Sequence, residues 1–328
     1  MLTGRVLITG GTGFLGRGIL RRAQRENWPT EFTVYSRDET KQFEAKRRYP
    51  DVQFVLGDIL DVDRLSLVAR HYDTIIHAAA IKYIPEGEFN VNECVRVNVD
   101  GSRAVLLAAR LAEVKEVIAI STDKAVLPIN AYGMTKALME RLVGEAARLD
   151  PSRKYVTCRY GNVVGSTGSI VPVFKHMLET TGKIKLTDPS MTRFWISIDD
   201  AIDLIERSLG KDVTSGATVI PTPSASSIRE VAKAVLEMYG KHTTERIFTI
   251  YDDPRVEVVG IRPGEKMHED LLSVQESERT RELDANYYEL LPPGNGPFRK
   301  ETIFLSSANA NALTEHELVA MIEDAASV

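Results

Sequence analysis

Arg5-Val-Leu-Ile-Thr-Gly-Gly-Thr-Gly-Phe-Leu-Gly16 is the stretch that decides the fold. It opens as a short apolar, β-rich run. Gly10, Gly13 and Gly16 follow at regular spacing, and a helical pattern runs from Leu15 to about Arg25. Strand, glycine turn and helix in that order predict the start of an α/β fold. Glycines at such a turn let the backbone approach a pyrophosphate, and the helix N-terminus adds amide donors and a positive dipole end. A tight turn also needs glycine. Between a strand and a helix the motif points to a dinucleotide, although its spacing departs by one residue from the commonest fingerprint.

The second strand, Phe32-Thr-Val-Tyr35, ends in Ser36-Arg37-Asp38. An acid here commonly binds an adenosine ribose, but a hydroxyl and a guanidinium come first, which suits a 2′-phosphate and so NADP. The alternative leaves Arg37 in solvent and gives the ribose to Asp38. Gln53-Phe-Val-Leu-Gly57 is the third strand. Asp58 after it either reaches an adenine amino group or caps the next helix in competition with Asp61. Thr74-Ile-Ile-His77 is the fourth strand, with His77 as a packed residue. Ala78-Ala-Ala80 then supplies small side chains where a backbone must come close to a cofactor. Asn92 to Leu111 read as one long helix with apolar positions on more than one side, buried in the core or against a second copy.

Val117-Ile-Ala-Ile120 reads as a buried parallel strand, and Ser121-Thr-Asp-Lys124 follow it. A helix is predicted from Lys136 to Ala147. An acid, an ammonium and the phenol of Tyr132 thus lie between a strand's carboxyl end and a helix, where open α/β sheets bind ligands. Tyr132 and Lys136 share a face if the helix has begun, and a cation beside a phenol lowers its pKa. A surface turn with a polar helix start is the plain alternative. Tyr155 to Tyr160 is the sixth strand, ending in Gly161-Asn162.

The regular alternation predicts an α/β fold, a Rossmann-type doubly wound parallel sheet, over residues 1–165, with 191–222 returning to it. Residues 166–190 and 223–328 form a smaller α/β C-terminal unit. Ser227 caps a helix to Tyr239, Gly260 to Lys266 form a turn, and the tail ends in a Thr-capped helix.

At 328 residues, 43% hydrophobic and 27% charged, the chain has an ordinary globular composition. A net charge of −5 gives no electrostatic case for nucleic acid or an anionic membrane. Cys94 and Cys158 stand apart without metal spacing and are expected to be small buried hydrophobes. No apolar run is long enough to span a bilayer and no leader precedes the first strand, so a cytoplasmic protein is expected.

Thr9-Gly-Gly-Thr-Gly-x-x-Gly16, Ala78-Ala-Ala80 and Tyr132-x-x-x-Lys136 resemble the extended short-chain dehydrogenase/reductases. Five further motifs narrow the resemblance: Tyr35-Ser-Arg-Asp38, Ser121-Thr-Asp-Lys124, Arg159-Tyr-Gly-Asn-Val-Val-Gly-Ser166, Met191-Thr-Arg-Phe-Trp195 and Gly260-Ile-Arg-Pro-Gly-Glu-Lys266. Together they resemble the nucleotide-sugar 4,6-dehydratases, in the branch that acts on UDP-N-acetylglucosamine and inverts C5. The resemblance runs nearly end to end. It implies NADP held by Gly10, Thr12, Gly13, Phe14, Leu15 and Gly16 at the first turn, and by Ser36, Arg37, Asp58 and Ile59 at the adenosine end. Ala78, Ala79, Ala80, Lys82, Asn98, Tyr132 and Lys136 complete that set. It implies a UDP-sugar touched by Lys82, Asn162, Arg193, Arg262 and Glu265 between the two units, and a homo-oligomer, at least a dimer.

The resemblance also assigns the chemistry. Tyr132 takes the 4-hydroxyl proton, Lys136 keeps it ionised, Lys124 is the base at C5 and Asp123 the acid at the 6-hydroxyl. Burial should lower the Lys124 pKa and raise that of Asp123, while their opposite charges push the other way. Two positions depart from the family pattern: Thr167 replaces an arginine and Tyr83 a histidine. A nucleotide-sugar 4-epimerase, or an idle NADP-binding relative, is the alternative.

Overall fold

The computed structural model describes residues 1–240, 249–294 and 302–328. β1 (Arg5–Thr9), α1 (Phe14–Arg25), β2 (Glu31–Ser36), α2 (Glu39–Arg48), β3 (Gln53–Leu56), α3 (Val62–Ala69) and β4 (Thr74–His77) alternate as predicted. α4 (Ile84–Phe89), α5 (Val91–Val95), a π-turn at Arg96–Asp100 and α6 (Gly101–Leu111) lead to β5 (Glu116–Ile120). A 3₁₀ turn at Asp123–Ala125, α7 (Ala131–Leu149) and β6 (Lys154–Cys158) follow. Beyond them lie β7 (Asn162–Val163), α8 (Ile170–Thr181), β8 (Ile184–Leu186), β9 (Thr192–Ile196), α9 (Ile198–Ser208), β10 (Thr218–Pro221), β11 (Ser224–Ser227) and α10 (Ile228–Tyr239). The last elements are β12 (Val256–Val258), β13 (Asp270–Leu272), α11 (Val274–Ser277), β14 (Thr280–Asp284), β15 (Tyr287–Leu290), β16 (Leu305–Ser306), β17 (Asn311–Ala312) and α12 (Glu315–Ala325).

The main sheet has the order β14-β15-β10-β6-β5-β4-β1-β2-β3. β1 to β6 and β10 are parallel. Strand periodicity sorts its side chains onto two faces. Leu7, Ile75, Val117, Ala119 and Tyr155 pack with residues of α3, α6 and α7. Val6, Ile8, Ile76, Ile118, Ile120 and Val156 pack on the other face, with α1 and α9. The fold is therefore a doubly wound Rossmann-type sheet with a smaller α/β part beside it. Its order reverses between β1 and β4, which opens the ligand crevice at their carboxyl ends.

Several expected boundaries differ. β10 returns to the main sheet beside β6, but β9 joins a smaller sheet of order β17-β11-β9-β7. The β14–β15 hairpin extends the main sheet antiparallel to β10 and covers what would be an open edge. α7 starts before Lys136, because the Asn130 side chain accepts from Gly133 N at 2.8 Å and caps it there. The single helix expected from Asn92 to Leu111 is interrupted by the π-turn. The predicted caps Ser227 and Thr314 are in place.

Arg159, 1% exposed just after β6, ties the smaller part to the sheet. Its Nε donates to Glu140 Oε1 at 2.9 Å, Nη2 to Glu276 Oε1 at 2.9 Å and Nη1 to the Leu271 carbonyl at 3.0 Å. Arg159→Met would leave two carboxylates uncompensated in the interior, a loss of about 3–5 kcal/mol. Urea unfolding should show that loss, with partial recovery when Glu140→Gln and Glu276→Gln are added. A loss near zero would mean the network carries no stability.

Candidate active site

A cavity of about 1220 Å³ runs from the glycine turn across the ends of β1, β4 and β5 to the smaller part. That exceeds the space one drug-sized ligand needs and suits a dinucleotide with a second ligand. Gly10, Thr12, Gly13, Phe14, Leu15 and Gly16 line one end. Gly13 is the N-cap of α1, with no side-chain cap and no acid in the first turn, so the helix N-terminus offers its amides to an anion. Gly10 has φ +69°, and a Cβ there would lie 2.7 Å from Ala79 Cα, so the β1 turn and the small residues after β4 pack as one wall. The turn therefore fits a pyrophosphate. Ala78, Ala79 and Ala80 line the cavity too.

Cations outnumber acids at the adenosine end: Arg37, Lys41 and Arg48 line it with Ser36, Asp38 and Glu44. Asp38 caps α2, accepting from Lys41 N at 2.9 Å. Asp58 does not cap α3; Asp61 does. Asp58 Oδ1 accepts from Leu60 N at 3.0 Å and Oδ2 from Arg37 Nη1 at 3.4 Å, and its neighbours Gly57 and Ile59, not Asp58, line the cavity. Asn98 is also displaced from its expected contact. It is 1% exposed, Oδ1 accepts from Ile81 N at 2.8 Å, and Nδ2 donates to the Ile81 carbonyl at 2.9 Å and Thr135 Oγ1 at 3.0 Å. Asn98 fixes the strand-end loop because both ends of its amide are engaged there. His77 is packed as expected, between Thr9 Oγ1 at 2.7 Å and Ser102 Oγ at 2.9 Å, and burial pushes its pKa down to about 3.

At the centre, Tyr132 and Lys136 lie one turn apart on α7, and both line the cavity. The expected phenolate is not what the free protein favours. Burial pushes Tyr132 up to about 12, against the pull of Lys124 and the Thr122 hydroxyl. Burial also lowers Lys136 to about 8, and its ammonium donates to Met139 Sδ at 3.2 Å. Desolvation is the largest cause in both cases.

Lys124 lines the same wall. Its Nζ donates to Asp123 Oδ1 at 3.0 Å and Asn162 Oδ1 at 3.2 Å, and lies 3.7 Å from Glu269 Oε1. Burial works to lower its pKa, as expected, but the Asp123 and Glu269 carboxylates outweigh it and hold it above the ordinary lysine value. The expected fall is thus reversed. Asp123 is 0% exposed and does not line the cavity. Its Oδ1 accepts from Thr122 Oγ1 at 2.8 Å, Lys124 N at 2.9 Å and Lys124 Nζ.

The smaller part closes the far side. Asn162, Arg193, Arg262 and Glu265 all line it, as does Lys82 on the opposite wall. Arg193 is 8% exposed and donates to the Thr192 carbonyl at 2.8 Å. Arg262 and Glu265 lie 3.9 Å apart on the turn after Gly260. That turn is docked on the loop between β5 and α7: Asn130 Nδ2 donates to the Gly264 carbonyl at 2.9 Å and Lys266 Nζ to the Val126 carbonyl at 2.7 Å. The two departures from the family pattern meet. Tyr83 OH donates to the Thr167 carbonyl at 3.0 Å, and its ring fills the place of a Cβ on Gly168.

Glu269 was not legible in the sequence as a site residue, nor were Thr122, Lys41 and Arg48. Glu269 stands in His268-Glu-Asp-Leu-Leu272, where nothing separates it from Asp270. Alternation along β13 and the Ser307 contacts decide which acid turns inward. Cys94 and Cys158 are free and buried, as expected. Among the described residues no group of His, Cys, Asp and Glu could hold a metal ion, and no helix is long and apolar enough to cross a membrane.

Comparison with known proteins agrees with this geometry. Residues 6–290 match the family described as polysaccharide biosynthesis protein. The chain is 36% identical over 292 residues to a protein named UDP-N-acetylglucosamine 4,6-dehydratase (inverting) from Campylobacter jejuni, a match that covers 88% of this chain and 82% of that one. It is also 36% identical over 292 residues to a UDP-glucose 4-epimerase from Rickettsia bellii, with 87% and 82% covered. Among solved structures, Pen from Bacillus thuringiensis has a TM-score of 0.87 at 30% identity, over 99% of this chain and 98% of that one. A dTDP-glucose 4,6-dehydratase from Streptomyces venezuelae, solved with NAD bound, shares the fold at a TM-score of 0.68 and 23% identity, over 80% and 86%. With a family match over most of its length and a nucleotide-binding crevice to go with it, the chain belongs to the polysaccharide biosynthesis protein family, among the nucleotide-sugar dehydratases and epimerases of the short-chain dehydrogenase/reductase fold.

Proposed function

We propose that the chain is a 4,6-dehydratase of UDP-N-acetylglucosamine that uses NADP and inverts C5. The observation that carries this is Lys124, a cation on the cavity wall beside Asp123 and close to Tyr132's side of the site. A 4-epimerase needs Tyr132 and Lys136, but has no use for a base at C5. The equal identity to proteins named epimerases keeps that second reaction as the alternative.

A nicotinamide dinucleotide, held by the glycine turn after β1 and the small residues after β4, would supply the hydride acceptor and donor. The chain's residues handle protons and position. Tyr132 accepts the 4-hydroxyl proton once a cationic ring and Lys136 beside it lower its pKa. Oxidation at C4 makes the C5 hydrogen acidic, and Lys124 removes it as an amine, after its ammonium has passed a proton to a neighbouring carboxylate. Asp123 orients Lys124 and exchanges a proton with it across their 3.0 Å hydrogen bond. Asn162 Oδ1 holds the same ammonium from the sugar side. Arg193 and Arg262 face the cavity as cations suited to a diphosphate and nucleotide, with Glu265 beside Arg262. Reprotonation from the opposite face would invert C5.

NADP is favoured because Asp38 is engaged as a helix cap while Arg37, Lys41 and Arg48 surround that end of the cavity. Residues 1–165 with the returning β10 form the cofactor unit, and the segments around β9, β11 and α10 form the substrate side. Phe89, Leu107, Leu111, Met134 and Leu138 are exposed apolar residues on α4, α6 and α7, and they support pairing with a second copy of the chain.

Two variants test this. Lys124→Ala should still oxidise the sugar at C4, seen as reduced-nicotinamide absorbance, while dehydration falls by about 10²–10⁴-fold. Normal dehydration would remove Lys124 from the chemistry. Arg37→Ala should weaken NADP by about 1.5 kcal/mol, the lower end for a hydrogen bond to a charged group, since half its surface is open, and leave NAD unchanged. Equal effects on both cofactors in a binding titration would contradict the 2′-phosphate assignment.

A further inference from the structure

We propose that Glu269 is a catalytic residue, the proton donor to the 6-hydroxyl as it leaves; this rests on the dehydratase reading above. Asp123 is poorly placed for that task. Its side chain is 0% exposed, off the cavity wall, and Oδ1 already accepts three hydrogen bonds. Glu269 lines the cavity, 3.7 Å from the Lys124 ammonium. A base for C5 and an acid for C6 act on adjacent carbons, so they must stand side by side, and these two groups do.

The backbone holds Glu269 in place. Its N–H donates to Ser307 Oγ at 2.8 Å, and its carbonyl accepts from Ser307 N at 2.8 Å. The residue is 3% exposed, and Oε2 is buried with no hydrogen-bond partner, 3.9 Å from Lys266 Nζ. A buried carboxyl oxygen without donors is a poor place for negative charge. Burial, aided by Asp123, raises the Glu269 pKa against the opposing pull of Lys124, Arg193 and Lys266. Glu269 therefore keeps its proton to higher pH than an ordinary glutamate, which is what a general acid needs.

The step balances. The Lys124 ammonium first passes a proton to the Glu269 carboxylate beside it. The C5 proton then passes to the Lys124 amine, and the C5–H electron pair becomes the C5–C6 double bond. The C6–O bond breaks, its electrons stay on oxygen, and the Glu269 proton completes the departing water. Lys124 is left as an ammonium and Glu269 as a carboxylate. That ion pair is the one from which the step began, so no proton is gained or lost over the cycle. Asp123 then serves as a positioning residue for Lys124.

Glu269→Gln keeps the shape and removes the acid. With UDP-N-acetylglucosamine in deuterated water, the variant should oxidise C4 and exchange the C5 hydrogen, while water loss falls by about 10²–10⁴-fold. With the 6-deoxy-6-fluoro analogue, whose fluoride leaves without a proton, it should keep pace with the unaltered enzyme. The loss of activity that the unaltered enzyme shows as pH rises through the Glu269 pKa should vanish from the variant. Glu269→Asp should recover part of the water loss. Water loss at the unaltered rate in Glu269→Gln, or an equal defect with the fluoro analogue, overturns the assignment. If the unaltered enzyme itself releases no water, the dehydratase reading falls and takes this proposal with it.

Discussion

The Lys124 ammonium, lying between the carboxyl groups of Asp123 and Glu269, sets the geometry of the site. Lys124 reaches Asp123 at 3.0 Å and Glu269 at 3.7 Å, and neither acid would sit comfortably in the interior without it. Asp123 is fixed by the 3₁₀ turn after β5, whose N–H bonds back to the Tyr160 carbonyl at 3.0 Å. Glu269 arrives from the smaller part, carried by a loop that Asn130 and Lys266 clamp to the catalytic turn. Folding of the two parts against each other thus assembles the charges, and the Arg159 network behind them locks the same junction. Removing either side would strand a charge in low dielectric, which makes the site and the packing one problem.

The free protein is not set for oxidation. Tyr132 is held protonated by burial, and Lys136 has lost much of its preference for charge. Desolvation is the largest cause of both shifts. The rim is shaped by Tyr83 and Thr167, which touch each other where the family pattern has a histidine and an arginine. Their contact replaces charge with a hydrogen-bonded aromatic at the edge of the cavity.

Much of this was written in local pattern. β1 to β6 follow from short apolar runs, and the glycine turn follows from a residue type with few other uses, whereas the Asn130 cap that starts α7 early was not legible. Tyr132, Lys136 and Lys124 lie on the cavity wall, as their spacing from β5 suggested. Other features depend on competition that the chain order does not reveal. Asp38 could bind ribose or cap α2, and it caps α2 while also lining the cavity. Asn98 reads as a polar helix residue until Ile81 folds onto it. Glu269 gains meaning only from Lys124, a partner remote in sequence. The β14–β15 hairpin carries mixed polar residues and no strong strand signal, yet β10 needs a neighbour.

The most direct measurement follows one hydrogen. UDP-N-acetylglucosamine carrying deuterium at C4 is turned over in ordinary water, and the product is read by mass spectrometry and proton NMR. A product that has lost water and carries that deuterium at C6 is what a 4,6-dehydratase must give. Deuterium still at C4, in a sugar of unchanged mass and altered C4 configuration, would identify an epimerase and contradict the role given to Lys124.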